Sequence, residues 1–222
     1  MMHSSRVTIF AGHYGSGKTN IAVNFALWLK KKFNNVVIVD LDIVNPYFRT
    51  KDSMAMMKNS GIKLISSRYA NSNVDVPAMP GEVNAIFDSP ESYAVIDVGG
   101  DDRGAYALGR YYGKFLQNEV TAFLVVNMYR PLSRDPEATI KIKDEIEAAG
   151  RITFTGIINN SNLGHATTAE DILASIPYAE EISKQTQLPI VMTTVQRALA
   201  TELMPNINNI FPIDLEEYEW QK

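Results

Sequence analysis

The sequence predicts an α/β domain of three layers, with a mostly parallel central sheet flanked by helices. Three observations predict it. Short, strongly apolar runs recur along the chain, as at 36–39, which is β-branched throughout, and at 120–127, the form taken by parallel strands buried on both faces. These runs alternate with segments of helical period, and neither an internal repeat nor a long linker interrupts them. Carboxylates and amides follow directly on the runs, at Asp40, Asp97, Asn127 and Asn159, where the ligand crevice of an open α/β sheet lies.

The elements follow in order. Residues 6–11 read as a strand and 17–32 as a helix, with Ile21, Ala22, Phe25, Ala26 and Leu29 on one face. Lys30, Lys31 and Lys32 close that helix, where cations meet its C-terminal dipole. A strand at 36–39 ends in Asp40-Leu41-Asp42. A short helix carrying Met54, Met56 and Met57 as core filler precedes a strand at 62–65. Residues 66–81 show no period and are long for a connection, which makes them a lid or partner-loop candidate or a plain surface excursion. A short helix at 82–88 leads to a strand that ends in Asp97-Val98-Gly99-Gly100. Helical character returns at 104–116, 134–149 (with Gly150 as the stop) and 167–186, where Pro177 interrupts the helix or starts a second. Strands are expected at 120–127, 154–160, 189–192 and, at one edge, 210–213, with a short helix at 196–204 and an acidic tail after it.

Composition bounds the partners. The 222 residues are 45% hydrophobic and 21% charged, with a net charge of −4, as in a globular domain that builds its own core. One domain covering 1–222 is expected. An overall negative charge disfavours nucleic acid as a partner. With no cysteine, disulfides and a thiolate-held zinc or iron–sulfur cluster within this chain are excluded. The first residues lack the apolar core of a signal peptide, no apolar run is long enough to span a bilayer, and the acidic tail argues against a basic amphipathic membrane anchor. A cytoplasmic protein is expected.

The chemistry concentrates after the first strand, in Gly12-His13-Tyr14-Gly15-Ser16-Gly17-Lys18-Thr19-Asn20. This is the phosphate-binding loop (P-loop) pattern G-x-x-x-x-G-K-[ST] in its strand–loop–helix context. Glycines allow a tight turn and close backbone approach. Successive N–H groups form an anion nest, and the helix N-terminus adds partial positive charge. Lys18 would reach the β/γ-phosphates and Thr19 would offer its hydroxyl to Mg2+. Extended residues alternate sides, so Asp40 and Asp42 are expected on one side with a cation between them; the plainer alternative is an Asx turn before Pro46. Asp97 stands where a strand-end carboxylate would hold a magnesium-bound water, and Gly100 could offer its N–H near the γ-phosphate. No N-K-x-D segment is present for guanine: Asn127-Met128-Tyr129-Arg130 and Asn159-Asn160-Ser161-Asn162 lack its lysine and aspartate. Amides suit adenine, so ATP is expected, with Asn159 as base contact and turn capping as its alternative role.

These parts together resemble the MinD/ParA/CobQ class of P-loop ATPases, most specifically over residues 6–50 and 93–104. The class includes the nitrogenase iron protein and carbon-monoxide-dehydrogenase maturation factors. The resemblance implies a three-layer P-loop NTPase domain and Mg2+-dependent ATP binding and hydrolysis. It implies a water-polarising Asp42, magnesium support from Thr19, Asp40 and Asp97, and an ATP-sandwiched homodimer. The class carries a signature lysine after the first loop glycine; here that position is His13, followed by Tyr14 rather than glycine. An imidazole is a weaker, pH-dependent substitute for a fixed cation. The leading expectation is an ATP-driven switch on an unidentified protein partner, with 45–52 and 101–106 as moving segments. The alternatives are an ATP-dependent small-molecule kinase or ligase on the dethiobiotin-synthetase side of the superfamily, with loop 66–81 and Arg103 or Arg130 binding the acceptor, and a non-hydrolysing nucleotide-binding module.

Overall fold

A computed structural model describes residues 5–42, 51–66, 81–100 and 102–215, without the side chains of 51–54, 102 and 103. In chain order its elements are β1 (Val7–Ala11), α1 (Lys18–Lys30), β2 (Val36–Asp40), α2 (Lys51–Asn59), β3 (Lys63–Ser66), α3 (Glu82–Asp88), β4 (Tyr93–Asp97), α4 (Asp102–Gly109), α5 (Tyr112–Phe115), β5 (Val120–Val126), α6 (Pro136–Gly150), β6 (Gly156–Asn159), α7 (Ala169–Ala174), α8 (Ile176–Thr186), β7 (Ile190–Gln196), α9 (Ala200–Leu203) and β8 (Ile210–Ile213). Among the described residues the strands join in one sheet of order β3-β2-β4-β1-β5-β6-β7-β8, and every neighbouring pair is parallel.

Burial on two faces explains the unbroken apolar runs. All five residues of β1 and of β2 are buried. Alternate side chains go to opposite layers. Val7, Ile9, Ile96 and Leu124 face a layer holding Phe87 of α3, Leu108 of α4 and Ile182 of α8. Phe10, Ile38, Val95 and Val125 face Ile21, Phe25 and Leu29 of α1, with Met57 of α2 beside them. Phe10 and Phe25 meet edge to face at 5.3 Å, an arrangement worth about 0.5–1.5 kcal/mol beyond burial. The three-layer expectation and the core role of Met57 hold.

Helix ends differ from the sequence reading where local chemistry intervenes. The segment expected to be helical over 104–116 is two helices, because the chain breaks around Tyr111, whose buried ring stacks on Phe87 at 6.0 Å. In α6, Asp135 caps the N-terminus by accepting from Ala138 N. Its stop is Arg151 in the left-handed region at φ 50°, not Gly150, which stays helical. The 167–186 segment divides at Ser175, and Pro177 falls in the first turn of α8, where its missing N–H costs nothing. Of the 66–81 segment, residues 67–80 lie outside the described residues, as do 43–50 and Asp101 of the expected moving segments and the tail from 216. Among the described residues no helix is long and apolar enough to cross a membrane.

This order positions the site. β1 lies between β4 and β5, so the loop leaving β1 sits beside the segments leaving those two strands. β2 ends alongside β4, with Asp40 paired to Asp97.

Candidate nucleotide-binding site

The chain turns from β1 into α1 through Gly12–Gly17 in a conformation that its glycines permit. Gly15 has φ 76° and Gly17 φ 87°, the left-handed region that costs a residue with Cβ about 1–2 kcal/mol. At Gly17 space forbids a side chain as well, since a Cβ would run into the Asn160 carboxamide. Gly17→Ala should therefore lower stability by roughly 2–4 kcal/mol, strain and overlap together. Urea unfolding checks this, and a midpoint equal to wild type would show that the loop is not held so tightly.

Three segments converge on the loop. From the end of β6, Asn160 Nδ2 donates to the Ser16 carbonyl at 2.6 Å, and Asn160 Oδ1 accepts from the Thr194 hydroxyl. Beyond β4, a Cβ on Gly100 would lie 2.6 Å from Tyr14 N and 2.9 Å from Lys18 Nζ, so this backbone approaches as closely as it can. Beyond β2, Asp42 stands behind: a Cβ on Gly99 would be 3.4 Å from its Cγ.

The loop is built to receive an anion. Gly17 caps α1 without a side-chain hydrogen bond, and the first turn holds no acid. Its N–H groups and the helix dipole remain available to negative charge. Lys18 is buried and its Nζ donates to the His13 carbonyl at 3.0 Å. Burial, then the neighbouring Lys18 charge, lowers the His13 pKa below the ordinary imidazole range. At neutral pH His13 is therefore neutral and supplies no fixed cation.

The carboxylates divide their work. Thr19 Oγ1 donates to Asp97 Oδ2 at 2.6 Å. The other oxygen, Asp97 Oδ1, is buried with no hydrogen-bond partner. Burial pushes the Asp97 carboxyl up to about 6, against the Thr19 hydrogen bond and the Lys18 charge, with Asp42 adding to the rise. A buried carboxylate oxygen without a donor is what a cation satisfies. Asp40 Oδ1 instead accepts from Asp42 N at 2.9 Å. This is the Asx turn that stood as the alternative, and it corrects the two-residue alternation: β2 ends at Asp40, so strand geometry does not carry on to Asp42. Among the described residues no three His, Cys, Asp or Glu side chains group as a metal cage. Mg2+ takes one or two carboxylates and completes its octahedron with water and phosphate oxygens. The Thr19–Asp97 edge fits that demand.

Two of the expected contact residues have their side chains engaged within the protein. Asn20 Nδ2 donates to the Asp214 carbonyl at 3.2 Å, beside Asn24, which clasps the same residue. Asn159 is fully buried: its Nδ2 donates to Ser175 Oγ at 2.8 Å and its Oδ1 accepts from Ser161 N. Its amide is engaged in capping the strand end, and its neighbour Asn160 is the one that reaches the loop. β6 ends at Asn159, and the chain just beyond that end turns Asn160 towards the loop. Arg130, named in the sequence only for an acceptor, lies against the loop at Gly15.

The CobQ/CobB/MinD/ParA nucleotide binding domain (CbiA) matches residues 7–188. The chain belongs to that family. As a member, it is a nucleotide-binding P-loop domain of the MinD/ParA type, which agrees with the loop geometry above. No curated protein matches the chain. Among solved structures, it is similar to the signal recognition particle receptor FtsY from Elizabethkingia anophelis in complex with GDP, with 16% identity, 88% of this chain and 58% of that one covered, and a TM-score of 0.51. FtsY from Thermotoga maritima gives 19%, 85%, 61% and 0.55. FlhF complexed with GMPPNP and Mg2+ gives 12%, 87%, 67% and 0.52. The chain thus spans about three fifths of the FtsY structures' length. At these identities the likeness carries the fold: one parallel sheet between helical layers.

Proposed function

We propose that this family member binds Mg2+–ATP and hydrolyses it, as a nucleotide-driven switch acting on a protein partner. The observation that carries this reading is the Thr19–Asp97 pair at the root of the P-loop, with one buried carboxylate oxygen left for a cation. Thr19 and Asp97 would hold Mg2+, which would neutralise charge on the β- and γ-phosphates. Lys18 and the first-turn N–H groups of α1 bind the phosphates. Gly100 offers a backbone N–H beside Lys18, and Asp42 orients and polarises the attacking water. The family's ATP-sandwiched homodimer belongs to the same proposal, although neutral His13 gives it no fixed cation to reach across.

Adenine is preferred because neither strand-end amide segment has the lysine and aspartate of a guanine site. Guanine is the second reading, favoured by the GDP and GMPPNP bound in the FtsY and FlhF structures. Calorimetric titration of ATP and GTP, each with and without Mg2+, decides: ATP should bind tighter, and Mg2+ should strengthen it. A tenfold preference for GTP would replace adenine, and no Mg2+-dependent binding of either would end the proposal. Asp42→Ala should bind ATP within about twofold of wild type and lose roughly 100-fold or more in single-turnover hydrolysis, the scale of a positioned base. Hydrolysis at the wild-type rate would remove Asp42 from the chemistry.

A further inference from the structure

The turn after β5 brings a second cation to the loop. A Cβ on Gly15 would lie 3.3 Å from Arg130 Nε and 3.5 Å from its Cδ and Cζ, so the guanidinium end occupies the space beside Gly15 that a side chain there would need. Arg130 is exposed and makes no ion pair among the described residues. Its position is nonetheless fixed. Arg130 N donates to the Asn127 carbonyl at 3.2 Å, and Ser133 N donates to the Arg130 carbonyl at 3.1 Å. Ser133 Oγ donates to the Asn127 carbonyl, and Tyr129 N to Asn127 Oδ1, each at 3.0 Å. Asn127 itself is fully buried. The turn is tied to the core, while among the described residues its charged tip meets no acid.

We infer that Arg130 is a phosphate-binding residue supplied within the same chain, which clamps the polyphosphate of a nucleoside triphosphate from the rim of the loop at Gly15. A guanidinium is always charged and pairs with phosphate oxygens through a planar fork. The loop's own position for a second cation is taken by His13, which is neutral. Close packing explains why the charge arrives from β5: a Cβ on Gly12 would collide with the Val125 carbonyl, so loop and β5 end are already in contact. The inference rests on the nucleotide reading above.

Calorimetry with ATP and with inorganic tripolyphosphate tests it on wild type, Arg130→Ala, Arg130→Lys and Lys18→Ala. Arg130→Ala should weaken both ligands about tenfold or more, the scale of one lost charge-assisted bond, and Arg130→Lys should recover part of that. Because Arg130 is exposed, the unfolding midpoint should not move. Wild-type affinity for both ligands in Arg130→Ala, with binding lost in Lys18→Ala, overturns the Arg130 assignment and leaves the nucleotide reading intact. A loss for ATP with none for tripolyphosphate overturns it in favour of a base contact. If wild type binds neither ligand, the nucleotide reading fails and the Arg130 assignment falls with it.

Discussion

Lys18→Ala should lose ATP binding by about 100-fold or more while remaining folded. Hydrogen bonds to charged groups contribute about 1.5–3 kcal/mol each, and every 1.4 kcal/mol is tenfold in affinity, so two lost phosphate contacts account for that drop. Stability should change far less. The Lys18 ammonium is buried at 6% exposure and donates to the His13 carbonyl; removing it gives up that bond but also relieves the desolvation of a charge. The measurement is a calorimetric titration paired with a thermal melt. Binding within threefold of wild type would remove Lys18 from the phosphate site. A collapsed melt would show that its role is in the fold.

Asp97→Asn should move stability and binding in opposite directions. In the folded chain the Asp97 carboxyl is raised from 3.8 to about 6, chiefly by burial. The folded state therefore binds this proton more tightly than the unfolded chain does, and the sign follows. Above about pH 6 the full cost of burying the charge is present; it falls as the pH drops from 6 towards 3.8, and is absent below. A difference of that size is on the order of 3 kcal/mol. Without nucleotide or Mg2+, Asp97→Asn should be more stable at pH 7 by up to about that amount and should lose this group's share of the pH dependence between about 4 and 6. The same variant should lose the strengthening of ATP binding by Mg2+, because the carboxamide carries no charge for the cation. Urea unfolding across pH and titration with and without Mg2+ check the two halves. A variant no more stable than wild type at pH 7 would refute the burial cost, and undiminished Mg2+ dependence would refute the metal role.

The elements that were legible in the sequence are those whose signal is local. The P-loop pattern carries its own glycines, lysine and threonine within eight residues, and β1, β2 and β4 announce burial on both faces by short, strongly apolar runs. Helix ends were less legible where tertiary packing outweighed propensity. Tyr111 divides α4 from α5 because its ring packs into the core, and Arg151 rather than Gly150 takes the left-handed stop of α6.

The site shows the same division more sharply. Sequence order by itself determined the loop, the strand-end carboxylates at Asp40 and Asp97, and the departure at His13, since each is fixed by the identity of residues a few positions apart. Tertiary structure alone decided which of these meet. Parallel pairing sets Asp97 level with Asp40 and hands its carboxylate to Thr19, 78 positions earlier in the chain. The chain beyond the ends of β6 and β5 brings Asn160 rather than Asn159 onto the loop and lays Arg130 beside Gly15. The physical reason is that these residues stand at or beyond the ends of parallel strands, where the crevice of an open α/β sheet lies, and which strand ends lie side by side is set by packing between segments distant in sequence.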